Sequence, residues 1–304
     1  MKLILILLGL SALVYADNAP VLEDIDWSTV KTRNIVINPN GGYKIHSRIV
    51  GGRQATPHQF PYQGGLFIVT PAQNYFCGCV LISPNYVLTA AHCLDNAIQV
   101  QVRLGAHYIN ANEISQQRFV STQFSQHPGW NPNTLSHDFA VVRLPNPAVL
   151  NDKARCCLLI IVHVKKYIKY DAEYVSIIAL PTWADTDITF DGEIATLFGW
   201  GVTVGTSTTM SETLYYTNAA ILMNIACEIF FGQILPSQIC TSGSGGVGAC
   251  TGDSGGAVVA NNRLVGIISF ALSLSCEGGW PSGHARVTTV LDWLYYVTDA
   301  NIVP

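Results

Sequence analysis

The feature that most constrains the fold is a series of short apolar runs, separated by turn residues, that begins after residue 48. Runs of this length and spacing, without long helices between them, are typical of an antiparallel sandwich or barrel. The segment 292–299 instead has helical apolar spacing and is predicted to be the single long helix. The sequence therefore predicts an all-β protein with a C-terminal helix. The predicted strands are 62–70, 79–82, 98–104, 139–144, 194–198, 264–270 and 284–287.

The first 48 residues have the organisation of an exported precursor. Residues 1–16 combine Lys2, an apolar run and small residues before Ala16, which predicts a secretory signal peptide that is too short to span a membrane. Residues 17–48 are polar, contain no cysteine and end at Arg48, which is followed by the sequence IVGG. We interpret them as a propeptide, so the protein is expected to be secreted and extracellular.

Composition excludes several classes of function. The chain has 304 residues and is 49% apolar, which is sufficient for a large core. Beyond Arg48 there are sixteen acidic and eleven basic residues, which argues against a nucleic-acid partner. The nine cysteines lack the paired CxxC spacing of a zinc site and indicate disulfides. We expect no cofactor and no metal, because the loop after Gly105 offers only Glu113 as a carboxylate.

Three separate segments carry residues suited to nucleophilic catalysis. His92 lies in TAAHC, Asp138 begins the apolar run HDFAVVRL, and Ser254 lies within GDSGG. Taken singly, they could be a buried histidine, a strand-initiating aspartate and a turn serine. Taken together, a histidine can activate a serine hydroxyl while an aspartate orients the imidazole.

The motifs IVGG, TAAHC, HDFAVVRL, FGWG and GDSGG occur in one order, and in that order the chain resembles the chymotrypsin-fold serine protease family. The resemblance runs from Ile49 to the C-terminus, apart from residues 153–172. It implies two six-stranded antiparallel β-barrels with the active site between them. The segment 276–281, CEGGWP, particularly resembles arthropod chymotrypsin-like and collagenolytic (brachyurin-type) enzymes.

The resemblance implies a role for each catalytic residue. Ser254 is the nucleophile, His92 the general base, and Asp138 holds the imidazole and stabilises its charged form. The amides of Gly252 and Ser254 form the oxyanion hole. Ser269 corresponds to the family serine that hydrogen-bonds the buried aspartate.

The resemblance also implies activation by proteolysis. A trypsin-like protease would cut after Arg48 and free the Ile49 amine, which would then pair with Asp253 and order the oxyanion loop. Because residues 17–48 contain no cysteine, no disulfide could tether the propeptide after cleavage, and its release is expected.

Substrate preference is expected from the positions that the resemblance assigns to substrate binding: Gly248, Ser269, Ala271 and Ser282. The two base positions, Gly248 and Ser282, carry no carboxylate, so an arginine or lysine side chain would lose water without gaining a partner. We expect an apolar residue before the scissile bond, with Leu, Met or Phe preferred over Trp because the Ala271 methyl narrows the entrance. Elastase-like or collagenolytic specificity is the alternative.

A different class of function is a catalytically inactive homologue that acts as a binding module. All three triad residues are present, which favours an enzyme that acts on protein or peptide substrates. We expect this enzyme to be a monomer.

The cysteine pairs implied by the resemblance are Cys77 with Cys93, Cys227 with Cys240, and Cys250 with Cys276. Cys79 remains, and we expect a buried free thiol rather than an intermolecular bridge.

Residues 153–172 are foreign to the rest of the sequence. They contain every lysine found after Lys44, the surplus Cys156 and Cys157, and the apolar run 156–164 in a predicted exposed linker. We interpret the stretch as a retained intron that is absent from the mature enzyme. The alternative is a genuine loop insertion, which an exposed linker tolerates.

Overall fold

The computed structural model describes residues 30–33, 35–37, 52–151, 174–202, 210–250, 252–272 and 278–304. The predicted signal peptide, the cleavage junction at Arg48 and Ile49, and the anomalous stretch 153–172 lie outside the described residues.

β-strands dominate the described chain, and two sheets of eight strands each contain them all. The strands are β1 Lys31–Thr32, β2 Ile35–Ile37, β3 Arg53–Gln54, β4 Gln63–Val69, β5 Asn74–Ser83, β6 Tyr86–Thr89, β7 Gln99–Leu104, β8 Gln117–Ser121, β9 Phe124–Gln126, β10 Ala140–Arg143, β11 Ile194–Gly199, β12 Tyr215–Leu222, β13 Gln238–Thr241, β14 Ala257–Ala260, β15 Arg263–Leu272 and β16 Ser282–Arg286.

The first sheet has the strand order β8-β7-β4-β5-β6-β10-β9. Its two end strands, β8 and β9, follow each other along the chain with only two residues between them. The two ends of the sheet are therefore joined, and the sheet closes into a barrel. Phe67, Phe76 and Phe139 are fully buried. Burying a side chain of this size stabilises a fold by about 1.5–3 kcal/mol, which makes these rings major contributors.

The second sheet has the order β11-β14-β15-β16-β13-β12-β3, and a direct pairing of β11 with β12 closes its ring. Its core contains Leu197, Ile221, Val258 and Ile268. β8 and β9 count as one interrupted strand and β3 is a two-residue addition, so the prediction of two six-stranded barrels is confirmed.

The two remaining strands, β1 and β2, come from the predicted propeptide. β1 pairs with β5 and β2 pairs with β15, both in parallel, whereas the other pairings between named strands are antiparallel. The sequence predicts no regular secondary structure for this segment. Its pairing depends on two strand edges that lie far away in the sequence.

The described residues contain two α-helices, α1 Asn224–Phe231 and α2 Leu291–Val297. The predicted C-terminal helix corresponds to α2, whose Leu291 and Leu294 are buried while Tyr296 is exposed. α1 is not predicted, because the segment NIACEIFF lacks a clear apolar stripe; only its Cys227 is fully buried. None of the helices in the described ranges is long and apolar enough to cross a membrane.

Disulfides connect neighbouring elements. Cys77 of β5 is joined to Cys93, and Cys227 of α1 is joined to Cys240 of β13. Cys250 is also disulfide-bonded, but Cys276, its expected partner, lies outside the described residues. Cys79 is a free thiol with no exposed surface.

Candidate active site

His92 is held against Asp138 at the end of the first barrel. It lies in a short 3₁₀ helix, Ala91–Leu94, that directly follows β6. Its Nδ1 lies 2.7 Å from Oδ2 of Asp138, and its backbone N–H donates to Oδ1 at 2.9 Å. A carboxylate can only accept, so Nδ1 carries the hydrogen and a neutral His92 presents Nε2 as a proton acceptor.

Asp138 is fully buried and accepts three hydrogen bonds. Besides the two from His92, the hydroxyl of Ser269 on β15 donates to Oδ2 at 2.5 Å. Burial alone would raise the pKa of Asp138, but the charge of a protonated His92 and the three hydrogen bonds hold that pKa below its usual range. Asp138 therefore remains ionised and links the first barrel to β15 of the second.

Ser254 lies in a loop that only glycine neighbours permit. Gly252 and Gly255 have φ of 97° and 80°, in the left-handed region that side chains disfavour. A Cβ on Gly255 would lie 2.3 Å from both the Gly78 carbonyl oxygen and Oγ1 of Thr89. The loop therefore packs directly on β5 and β6, close to the chain that leads to His92.

Two backbone hydrogen bonds fix this loop to both barrels. The N–H of Gly78 on β5 donates to the Ser254 carbonyl at 2.7 Å, and the N–H of Gly255 donates to the Ile268 carbonyl on β15 at 2.8 Å. Ile268 directly precedes Ser269, which contacts Asp138. The sequence-predicted residues His92, Asp138, Ser254 and Ser269 are thus brought to one junction. Gly78 and Thr89 also hold this junction; Thr89 begins the motif TAAHC, whereas no sequence signal indicates a role for Gly78.

Asp253 points away from this junction into the second barrel. It is fully buried, and its carboxylate accepts the N–H of Gly201 and of Cys250, each at 2.9 Å. Burial raises the pKa of Asp253 to about 8, although these two hydrogen bonds lower it. The two backbone amides stabilise the carboxylate, and no positively charged group among the described residues pairs with it.

The FGWG motif makes room for the Asp253 carboxylate. A Cβ on Gly199 or Gly201 would lie 2.0 or 2.5 Å from Oδ1 of Asp253. Contacts that close do not occur between real atoms, so only glycine fits at either position. The structure thus gives a physical reason for a motif that the sequence analysis identifies by resemblance alone.

The predicted pocket residues also come together. A Cβ on Gly248 would lie 3.2 Å from Oγ of Ser282, so the two base positions face each other. Ser282 is buried and is the cross-strand partner of Ala271. Neither base position carries a charge.

The described residues contain one cluster with metal-ligand spacing, formed by Cys77, His92 and Cys93. Both sulfur atoms belong to one disulfide, so they cannot act as thiolate ligands. Glu113 accepts the N–H of His107 at 2.7 Å and of Tyr108 at 2.8 Å. Its carboxylate therefore stabilises its own loop.

Comparison with known proteins agrees with this geometry. The family model described as Trypsin matches residues 49–294. Brachyurin from Leptuca pugilator is 37% identical over 256 residues, which are 84% of this chain and 100% of that protein. Chymotrypsin from Phaedon cochleariae is 31% identical over 295 residues, covering 96% of this chain and 95% of that protein.

Among solved structures, that of HL collagenase is similar, with a TM-score of 0.67 and 32% identity over 82% of this chain and 97% of that chain. The chain belongs to the trypsin family and is a serine endopeptidase, a hydrolase of peptide bonds.

Proposed function

We propose that this chain is the secreted precursor of an endopeptidase whose catalytic triad is His92, Asp138 and Ser254. The observation that carries the proposal is the buried Asp138, which accepts hydrogen bonds from His92 and Ser269 beside the loop that holds Ser254. The arrangement joins a base, its orienting carboxylate and a nucleophile at the junction of two barrels.

The chemistry proceeds by acyl transfer. Oγ of Ser254 attacks the scissile carbonyl carbon while its proton moves to Nε2 of His92, and the amides of Gly252 and Ser254 stabilise the oxyanion. His92 then gives that proton to the leaving amine, and the C–N bond breaks. Water, activated by His92, hydrolyses the acyl-enzyme, releases the carboxylic acid product and restores Ser254. Asp138 stabilises the imidazolium in both steps.

Activation requires a cation for Asp253. A buried carboxylate whose pKa is raised to about 8 is costly to ionise without a partner. Cleavage after Arg48 by a trypsin-like protease creates such a partner in the Ile49 ammonium. Pairing would hold Asp253 ionised and order the adjacent Gly252 and Ser254 amides, so the uncut precursor is expected to be nearly inactive.

Specificity follows from the uncharged pocket base. Gly248 and Ser282 face each other without a carboxylate, which supports a preference for an apolar residue before the scissile bond. Ala271 adds a methyl group at the rim and favours Leu, Met or Phe over Trp. The alternative is elastase-like or collagenolytic cleavage. The substrates would be proteins or peptides, and the enzyme a monomer.

We propose that residues 153–172 are absent from the mature enzyme. Asn151, just before the stretch, donates its N–H to the carbonyl of Val175 at 3.1 Å, and the N–H of Ser176 donates to the Pro61 carbonyl at 3.1 Å. The residues that flank the stretch are therefore close enough to be joined directly, as a splice error requires, and the same closeness would accommodate a loop insertion. Peptide mapping of the natural secreted protein distinguishes a splice junction near Asp152 and Glu173 from a retained loop.

Limited treatment of the purified precursor with immobilised trypsin, which is removed before the assays, tests the proposal. We expect a new N-terminus at Ile49, a large rise in hydrolysis of peptides with Phe or Leu before the scissile bond, and complete loss of activity with a serine-directed covalent inhibitor. Faster cleavage after Arg would contradict the specificity. A cut protein that starts at Ile49 but is inactive would instead favour the binding-module alternative.

A further inference from the structure

A segment of the predicted propeptide spans the groove between the two barrels. On one side β1 pairs with β5, with Lys31 opposite Tyr75, and the N–H of Arg33 donates to the Phe76 carbonyl at 3.3 Å. On the other side β2 pairs with β15, with Ile35 opposite Phe270. Residues 31–33 and 35–37, together named here the strap, therefore lie along one edge of each barrel.

The strap crosses the candidate active site. A Cβ on Gly252, a proposed oxyanion residue, would lie 2.9 Å from Cγ2 of Thr32. The carbonyl oxygen of Arg33 lies 3.8 Å from Sγ of Cys77, which is bonded to the residue after His92. A peptide substrate would have to occupy the same space to reach Ser254.

Side chains anchor the strap on both sides of the site. The Arg33 guanidinium donates to the Asp95 carbonyl at 2.6 Å and lies over the Tyr75 ring at 4.7 Å. Ile35 packs against the apolar cluster that contains Leu135 and Phe270. Hydrogen bonding and apolar burial thus add to the strand pairing.

The strap runs in the direction opposite to that of a productive substrate. A substrate's acyl residues precede its scissile bond, and the side chain of the last one enters the pocket at Gly248 and Ser282. Ser282 pairs with Ala271, so the acyl residues lie along β15 and the leaving residues lie towards β5. A substrate therefore runs from β15 to β5, whereas the strap runs from β5 to β15.

We propose that the strap is a built-in inhibitor that occupies the substrate groove with reversed polarity. In a reversed chain, each peptide nitrogen lies where a substrate would place its carbonyl. Ser254 and His92 therefore face no peptide bond in the orientation that acyl transfer requires. The strap blocks the groove without being cleaved. After cleavage at Arg48 the released segment can rebind the groove without a covalent link and compete with substrate. This inference rests on the proposed function of the groove.

Disulfide trapping in the full-length Ser254→Ala precursor tests the polarity without requiring activity. Paired strands lie about 4.8 Å apart, which is within the Cα separation of a disulfide. We expect a cross-link between cysteines in Lys31→Cys/Tyr75→Cys and in Val36→Cys/Ala271→Cys. The swapped pairs, Lys31→Cys/Ala271→Cys and Val36→Cys/Tyr75→Cys, are the matched controls. Cross-linking of the swapped pairs instead, or of neither set, would overturn the proposal.

Inhibition of the activated protein, after the trypsin has been removed, by a synthetic peptide of residues 17–48 tests whether the strap competes with substrate. We expect the apparent KM to rise while kcat is unchanged, and the peptide to remain intact by mass spectrometry. Ile35→Asp should weaken inhibition about 10- to 100-fold, because the packed apolar side chain is lost. Lys31→Ser, at an exposed position, should leave inhibition unchanged.

Cleavage within residues 31–37, or no inhibition of an active enzyme, would refute the proposal that the strap is an inhibitor. An inactive protein would refute the proposed function alone, since the cross-links still report the polarity.

Discussion

The hydroxyl of Ser269 donates to the same oxygen of Asp138 that accepts the imidazole N–H of His92. The bond reaches across the barrel junction, because Asp138 precedes β10 of the first barrel and Ser269 lies on β15 of the second. It keeps the carboxylate ionised and fixes its direction towards the imidazole.

Replacing Ser269 by alanine is expected to lower kcat about 10- to 100-fold, because a hydrogen bond to a charged group contributes about 1.5–3 kcal/mol. The pKa of Asp138 should rise, and the acidic limb of the pH–rate profile should move to higher pH. Steady-state kinetics across pH measures both effects. Ser125→Ala, at an exposed position, is the control and should leave the profile unchanged. An unchanged profile in Ser269→Ala would contradict the positioning role.

Asp253→Asn should abolish activation while cleavage after Arg48 still occurs, because an amide cannot pair with the Ile49 ammonium as an ion. N-terminal sequencing and a peptidase assay on the same sample separate the two events. Substantial activity in a protein that starts at Ile49 would contradict the proposed pairing.

The same carboxyl makes precursor stability depend on pH. An unfolded aspartate has a pKa of about 3.9, whereas burial raises the pKa of Asp253 to about 8. The folded precursor therefore retains a proton that the unfolded chain releases. This contribution is complete below about pH 4 and is lost as pH rises through about 8, by at most about 1.4 kcal/mol per pH unit. Denaturant unfolding of precursor and of Asp253→Asn should diverge over that window, and parallel curves would contradict it.

Ser282→Asp should increase kcat/KM for arginine substrates relative to phenylalanine substrates about 10- to 100-fold. The new carboxylate would pair with the guanidinium at the pocket base, and hydrogen bonds to charged groups contribute about 1.5–3 kcal/mol. Ser282→Asn is the matched control, because it has the same shape without the charge. An equal shift in both variants would show that size rather than charge determines the preference.

Deletion of residues 153–172 should preserve activity and leave stability equal or higher. Asn151 and Val175 are already hydrogen-bonded, and shortening the connection between them by twenty residues lowers its closure cost by about 1–2 kcal/mol. Thermal unfolding and peptidase assays measure the result. A glycine-serine linker of equal length in place of the stretch controls for loop length. Loss of folding on deletion, with folding retained in the linker variant, would show that the length is required.

The barrels could be predicted from the sequence, and the candidate site residues proposed from it, because the signals for both are local. Short apolar runs show the strands, and the glycines around Ser254 show where a backbone must approach closely. Gly199 and Gly201 illustrate the limit of this reasoning. Their motif can be read from the sequence, but their reason, the space filled by the Asp253 carboxylate, requires two segments about fifty residues apart to meet.

The strap could not be predicted from the sequence. Lys31–Thr32 and Ile35–Ile37 become strands only because β5 and β15 offer free edges at the groove. α1 could not be predicted either, because its segment has no clear apolar stripe. The disulfide from Cys227 to β13 holds this segment in place. Long-range contacts decide both structures, and local patterns do not record them.

Covalent labelling at Ser254 tests whether this serine is the nucleophile and whether cleavage after Arg48 activates it. The precursor and the trypsin-cleaved protein are each treated with a serine-directed fluorophosphonate, and peptide mapping locates the adduct. We expect an adduct on Ser254 in cleaved protein that starts at Ile49. We expect little or no adduct in the uncut precursor and in the cleaved His92→Ala variant. A cleaved protein that is unlabelled, or labelled at a different serine, would contradict these expectations.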